Sequence, residues 1–212
     1  AAKGYQYLID QGIQNGYLHY NLGNTHFRLG ELGKSIVEYE RALRYMPRSQ
    51  DIQHNLEFVR NLMVDEELKP KEYGGTVGFL LDLQRSLNLR ESLILFAVVL
   101  WLTCIAYSIR ILFPASQVVR RTGWLRVTML IVLVFCSFSV GAKVYRAEMM
   151  DRGVVLASET EARIGPGKDY SGAFTLHEGT MVELELFRPS WVRVRLPNGL
   201  TGWLQRNDLE VI

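Results

Sequence analysis

The sequence predicts a multidomain membrane protein with three parts in order: all-α helical repeats, a two-helix transmembrane hairpin and a small all-β barrel. Three observations predict it. Residues 92–109 and 127–142 are uncharged runs of 18 and 16 residues. Before them, small and aromatic residues recur at the offsets of paired helices. After Gly153, short β-rich runs alternate with turn signals. The expected boundaries are 1–66 for the helical region, 67–91 for a linker with an amphipathic segment, and 92–113 and 123–143 for the spans. Residues 114–122 make the loop between the spans, 144–152 a second linker and 153–212 the barrel.

In the helical region His19, Leu22-Gly23, His26, Ser35, Tyr39 and Pro47 stand at the spacing of the tetratricopeptide pattern, with Ala42 and Leu43 closing the second helix. The stretch resembles that family, with histidines where two aromatics are usual and Ser35 in place of an alanine. Gly23 lets two helices approach, Gly30 and Gly33 are expected to bracket a tight turn, and Pro47 stops the second helix. Tyr39 and Ala42 are expected to face the first helix. One such pair cannot bury its own apolar face. Residues 4–15 are therefore expected as the second helix of a preceding, truncated pair. Residues 51–64, apolar at 52, 56, 59 and 63, are expected as a capping helix.

In arrays of that family the first helix of each pair lines a groove. The resemblance puts Tyr17, Tyr20, Asn24, Phe27 and Arg28 there, joined by His54 and Phe58 from the next helix. Aromatics, an amide and a cation suit capture of an extended partner segment, although ordinary helix packing accounts for the same residues without a ligand. The four histidines, His19, His26, His54 and His177, form no HxxxH or HExxH pair, so neither a metal site nor a cofactor is expected.

Residues 64–73 are charged, with Asp65-Glu66-Glu67 and Lys69-Pro70-Lys71, and Gly74-Gly75 breaks the chain. Residues 78–89 set leucines at 80, 81, 83, 87 and 89 around Asp82, Gln84 and Arg85. That pattern suits an amphipathic segment lying in a membrane interface, or a loop packed on the helical region.

Each uncharged run, extended to about 20 residues at ~1.5 Å per residue, spans a hydrocarbon core of roughly 30 Å. Only a helix satisfies the backbone polar groups there. A hairpin of two spans leaves both chain ends on one side. Its connection holds Arg110, Arg120, Arg121 and Arg126 and no acid, which assigns the loop to the cytoplasm and both ends to the exported side. Export of the helical region calls for a signal upstream of Ala1. Residues 92–152 carry 7 basic and 2 acidic groups, net +5, against −1 for residues 1–91 and −2 for residues 153–212. The overall +2 therefore belongs to the membrane region and points to no nucleic-acid partner. Cys104 and Cys136 both fall inside the spans and read as small apolar residues.

In the last segment Val192-Arg193-Val194-Arg195-Leu196 alternates and Asn198-Gly199 marks a hairpin. The runs Ala162-Arg163-Ile164-Gly165-Pro166-Gly167, Leu176-His177-Glu178-Gly179, Trp191-Val192-Arg193-Val194, Gly202-Trp203-Leu204 and Asp208-Leu209 resemble the bacterial Src-homology-3-like (SH3-like) domain in order and spacing. Trp191 and Trp203 are expected to fill its small core. The resemblance implies peptide binding, often in the cell envelope, with Tyr170, Phe174 and Phe187 as candidate surface aromatics. Glu183 and Glu185 share one strand face with no partner acid or base. With no GxSxG, P-loop or Cys–His constellation either, the chain is expected not to be an enzyme.

Helical repeat, hairpin and SH3-like barrel in this order form an unusual combination. The stretches Tyr5-Gln6-Tyr7-Leu8-Ile9-Asp10, Tyr20-Asn21-Leu22-Gly23-Asn24-Thr25 and Tyr39-Glu40-Arg41-Ala42-Leu43-Arg44-Tyr45-Met46-Pro47-Arg48 add to it. Together they resemble the tetratricopeptide member of the Bacteroides aerotolerance (Bat) proteins over nearly the whole chain. The resemblance implies a multi-pass protein of the bacterial inner membrane with both soluble domains periplasmic. It also implies von Willebrand factor A-domain membrane proteins and a MoxR-type AAA+ ATPase as associates, in aerotolerance and envelope stress. The expected function is a membrane scaffold or adaptor. The alternative is an envelope sensor whose SH3-like domain binds peptidoglycan peptide and signals through the hairpin.

Overall fold

The computed structural model describes residues 1–65, 74–149 and 151–212. It forms two compact units, one of Ala1–Asp82 with Met150–Ile212, the other of Leu83–Met149.

The first unit opens with four helices: α1 (Ala2–Asp10), α2 (Gly16–Arg28), α3 (Leu32–Tyr45) and α4 (Gln50–Arg60). Glycines decide where two of them end. Gly12 and Gly30 sit at φ 82° and 77°, left-handed backbone that favours glycine. After α1, Gly12 N–H reaches Ile9 O and Ile13 N–H reaches Leu8 O; after α2, Gly30 N–H reaches Phe27 O and Glu31 N–H reaches His26 O. Both are Schellman closures. The helix expected over 4–15 therefore stops five residues early, and Asn15 instead caps α2 through Leu18 N–H at 2.9 Å. The helix expected over 51–64 likewise ends at Arg60.

The second half of this unit is one antiparallel sheet of β1 (Arg152–Val155), β2 (Glu159–Arg163), β3 (Gly172–His177), β4 (Met181–Phe187), β5 (Trp191–Arg195), β6 (Thr201–Gln205) and β7 (Leu209–Val211). The order is β3-β2-β6-β5-β4-β1-β7. In a flat sheet β6 and β7, four places apart, would lie ~19 Å from each other at ~4.8 Å per strand. Yet only Arg206–Asp208 joins them, a reach of ~14 Å at most. The sheet is forced to curl. Thr160 on β2 accordingly donates to Asp208 Oδ2 at 2.7 Å, and Ala162, Leu176, Val182, Val192, Val194 and Leu204 meet inside the curl.

Trp191 and Trp203 are not in that core, contrary to expectation. Val192 and Val194 point inward on β5, as do Gly202 and Leu204 on β6, so the tryptophans take the opposite parity and face outward.

The helical and β segments, expected as separate domains, share a second core. β1 is buried on both faces: Val155 belongs to the sheet interior, while Val154 packs with Ile36, Val37, Tyr39, Ile52, Leu56 and Val59 of the helices. This is why Gly153-Val154-Val155-Leu156 runs apolar without alternation. Gly33 also takes a different role from the one expected. It lies inside α3, and a Cβ there would meet Val155 O at 2.7 Å. It is the point where helix and sheet backbones touch, while Gly30 alone makes the turn.

The second unit is a helical hairpin of α6 (Leu89–Leu112), a short α7 (Gln117–Arg121) and α8 (Gly123–Met149). α8 continues as helix through most of the linker expected over 144–152. An Asn88–Glu91 capping box starts α6. Ser92, Thr103, Cys136 and Ser139 are the buried residues of the α6–α8 seam, small enough for close approach. Thr103 Oγ1 donates to Val99 O at 2.7 Å within its own helix. Lys143 Nζ donates to Ser92 Oγ at 2.8 Å and to Leu87 O across the open end of the hairpin. The spans Leu89–Leu112 and Gly123–Tyr145 have mean hydropathy 2.3 and 2.1 and are only 11% and 6% buried. By length and composition both could cross a membrane, and so little burial is unlike the core helix of a soluble domain.

In sequence α5 (Gly75–Ser86) runs across the boundary of the two units and starts three residues ahead of the segment expected over 78–89. It exposes Phe79 and Leu83. The charged linker residues 66–73, and the side chains of Leu80, Asp82 and Arg85, lie outside the described residues.

Candidate functional site

Tyr20, Asn24 and Phe27 stand at i, i+4 and i+7 on α2, one stripe of the helix. α4 lays Asn55 and Phe58 alongside. Asn24 Oδ1 accepts from Tyr39 OH at 2.6 Å and from Asn55 Nδ2 at 3.0 Å, and Asn55 Nδ2 also donates to Tyr20 OH at 3.2 Å. Burial holds the Tyr39 hydroxyl above its usual range, so it stays protonated and donates. Tyr39 itself fits under α2 because Gly23 has no side chain: a Cβ there would stand 2.8 Å from the ring. Phe27 and Phe58 meet edge to face with centroids 5.8 Å apart, and Tyr20 and Tyr39 lie tilted at 41° with centroids 6.0 Å apart.

Of the seven groove residues expected, Tyr20, Asn24, Phe27 and Phe58 thus form one contiguous face. Tyr17 is 70% and Phe58 51% exposed. Arg28 and His54 are exposed on the same two helices. Asn55 and the supporting Tyr39 hydroxyl were not anticipated. Asn55 had a signal, since it shares a stripe with Phe58 three residues on. The face is aromatic, its two amides are held in place, and Asn24 Nδ2 has no partner among the described residues, which leaves a donor for a ligand carbonyl.

A second cluster joins α3 to β7. Arg41 Nη1 donates to Glu38 Oε1 at 2.7 Å and Glu210 Oε1 at 2.8 Å, while Nη2 donates to Val211 O at 2.8 Å. His19 Nδ1 lies 2.6 Å from Glu38 Oε2, and its ring stacks on Tyr45 at 5.8 Å. Burial alone would push the Glu38 carboxyl up. The bond from His19 and the Arg41 guanidinium outweigh it and hold the carboxyl below the usual range. A cleft of about 370 Å³ opens here, with His19, Arg41, Arg44, Tyr45 and Glu210 in its walls. Its charges are answered within the protein, so the cluster serves as a joint. A third cluster is similar: Asp65 takes His177 N–H and Nδ1 at 2.9 Å each and Thr180 Oγ1 at 2.6 Å. His26 likewise meets Glu31 at 2.5 Å. Among the described residues no three His, Cys, Asp or Glu side chains converge as metal ligands.

On the sheet, Tyr170 is exposed and covers the loop glycines, so that a Cβ on Gly165 would strike its ring at 2.5 Å. Phe174, expected on the surface, instead packs partly buried against the sheet core and over Gly202. Phe187 is exposed with the Arg206 guanidinium 5.7 Å from its centroid. Glu185 pairs with Arg193 and Arg195 across the strands. In the hairpin connection, Arg110 Nη1 donates to Pro114 O and Arg126 Nη1 to Val119 O, each at 2.9 Å.

No protein-family model matches the chain, and no curated protein matches it.

Proposed function

We propose that the protein is a non-enzymatic membrane scaffold of the tetratricopeptide Bat type. α2 and α3 would be a tetratricopeptide pair, α1 the remnant of a preceding one, and the curled sheet an SH3-like domain. The hairpin would cross the bacterial inner membrane and leave both soluble segments periplasmic. The partner would be a protein of the same system, with a von Willebrand factor A-domain membrane protein as first candidate.

One observation carries this. The face of α2 and α4 keeps Tyr17 and Phe58 exposed while a hydrogen-bonded network fixes Tyr20, Asn24 and Asn55 around them. Exposed aromatics over a rigid polar support favour binding, because little side-chain freedom is lost on contact. The opposite side of α3 is covered by the sheet, which leaves the α2–α4 side of the helical segment open to a partner. The test is a photo-crosslinking residue at position 58, in cells, with position 205 on β6 as control. An adduct with a von Willebrand factor A-domain protein from position 58 alone is expected. Equal labelling from both positions would count against a helical docking face.

A second reading has an observation of its own. Trp191 and Trp203 face outward on the sheet beside Arg193, where a peptidoglycan peptide would find aromatic and cationic contacts. Binding of the full chain to purified peptidoglycan, lost in Trp203→Ala but kept in Phe58→Ala, would favour the envelope sensor.

A further inference from the structure

The four arginines of the hairpin connection do two different jobs. Arg110 and Arg126 turn inward and bond the backbone carbonyls of Pro114 and Val119, fastening the turn. Arg120 and Arg121 close the short helix α7 and are exposed, and their guanidinium groups make no hydrogen bond or ion pair with any described residue. Residues 110–126 contain no acid to answer them. A free guanidinium pair on a surface with no counter-charge draws an anion, and its planar fork fits phosphate oxygens.

The surroundings say which anion. Val119 of α7 is buried and fixes the helix to the hairpin, while Val118 beside it is exposed. Phe113 and Trp124 flank the turn and are also exposed. A free phosphate ion gains nothing from apolar neighbours. A phospholipid does: its acyl chains and glycerol meet Phe113, Val118 and Trp124, while its phosphate meets the arginines. From this juxtaposition we infer that Arg120 and Arg121 form a docking surface for anionic phospholipid headgroups. The inference rests on the membrane reading of α6 and α8 and adds lipid selectivity to it. Anionic lipid bound here would hold the turn at the headgroup level, with the two unpaired cations against the anionic leaflet.

The experiment uses the full chain in neutral detergent. It is first floated with phosphatidylcholine vesicles, then given mixed micelles of equal phosphatidylglycerol and phosphatidylcholine, and retained lipid is counted by native mass spectrometry. The wild type is expected to float and to prefer phosphatidylglycerol by on the order of thirtyfold, the size two interfacial charges supply. Arg120→Gln with Arg121→Gln is expected to lose most of that preference while keeping flotation and helix content. Lysine at both positions is expected to keep part of it, since the charge remains without the fork, and the control Arg188→Gln on the sheet segment to retain it in full. Equal retention of the two lipids overturns the inference. So does a preference the double glutamine variant keeps, or one that inorganic phosphate abolishes at matched ionic strength. A chain that stays soluble without detergent and does not float sinks the membrane reading itself, an outcome distinct from floating without selectivity.

Discussion

The carboxylate Oε1 of Glu178 accepts the backbone N–H of Gly33 at 2.8 Å. Gly33 opens the first turn of α3, and Glu178 follows β3 at the turn into β4. The N-cap residue of α3, Glu31, makes no side-chain cap bond, so a group from the sheet satisfies one of the helix's unpaired donors. A negative charge at a helix N-terminus is favourable in addition. Glu178→Ala is predicted to destabilise the folded chain by about 1 kcal/mol. The check is denaturant unfolding of the full chain in detergent, followed by circular dichroism. An unchanged midpoint would remove Glu178 from the account of how helix and sheet are joined.

Gly33→Ala should cost more. The added Cβ would meet a backbone oxygen, Val155 O, at 2.7 Å, which cannot rotate away. Overpacking of this kind costs about 1–3 kcal/mol. Because the clash lies between α3 and β1, helical and β signals should lose stability together. Separate transitions, with only one of them shifted, would show two independent folding units.

Arg41 bridges Glu38, Glu210 and Val211 O, and Glu38 is almost fully buried. Arg41→Ala leaves a buried carboxylate short of its cation, at a predicted cost of about 3 kcal/mol. Arg41→Lys should recover less than half, since one ammonium cannot serve two carboxylates and a carbonyl in the geometry of the fork. Thermal unfolding of both variants beside the wild type decides this.

The Asp65 joint gives a pH dependence. Burial would raise its carboxyl, but the Thr180 hydroxyl and the N–H and ring of His177 outweigh that and hold it below its ordinary 3.8. A carboxyl depressed on folding contributes stability that is full above the unfolded value and is lost as pH falls through the folded one. Stability should therefore hold down to about pH 4 and decline below it. Asp65→Asn should be less stable at pH 7 and show a shallower acid decline. Chemical unfolding at a series of pH values measures both.

Much of this architecture can be read from local pattern. The uncharged runs at 92–109 and 127–142 are long enough to declare helices by themselves, and Asn198-Gly199 marks its turn, with Gly199 at φ 88°. The resemblance to the tetratricopeptide family singles out Tyr20, Asn24 and Phe27, and helical spacing sets these three on one stripe of α2. The joints do not. Gly33 and Glu178, Arg41 and Glu210, and Asp65 and His177 are each more than a hundred residues apart, and no periodicity links them. Gly33 reads locally as a turn glycine because its missing side chain serves a strand that local pattern cannot place. The outward tryptophans were legible. Val192, Val194 and Leu196 share one parity, and Trp191 has the other. Alternation, not side-chain bulk, sets the face they take.

Both ends of the chain build one body, which the proposed function sets outside the membrane on a two-span hairpin. Substituted-cysteine labelling tests it most directly. Cys104 and Cys136 are replaced by serine or alanine, and single cysteines are placed at His54 on α4, Asn198 in the β5–β6 turn and Ala115 in the hairpin connection. Intact cells are treated with a membrane-impermeant thiol reagent. Positions 54 and 198 should react together, and position 115 only after the membrane is opened. Labelling of 54 and 198 from opposite sides would contradict the shared body and the hairpin at once.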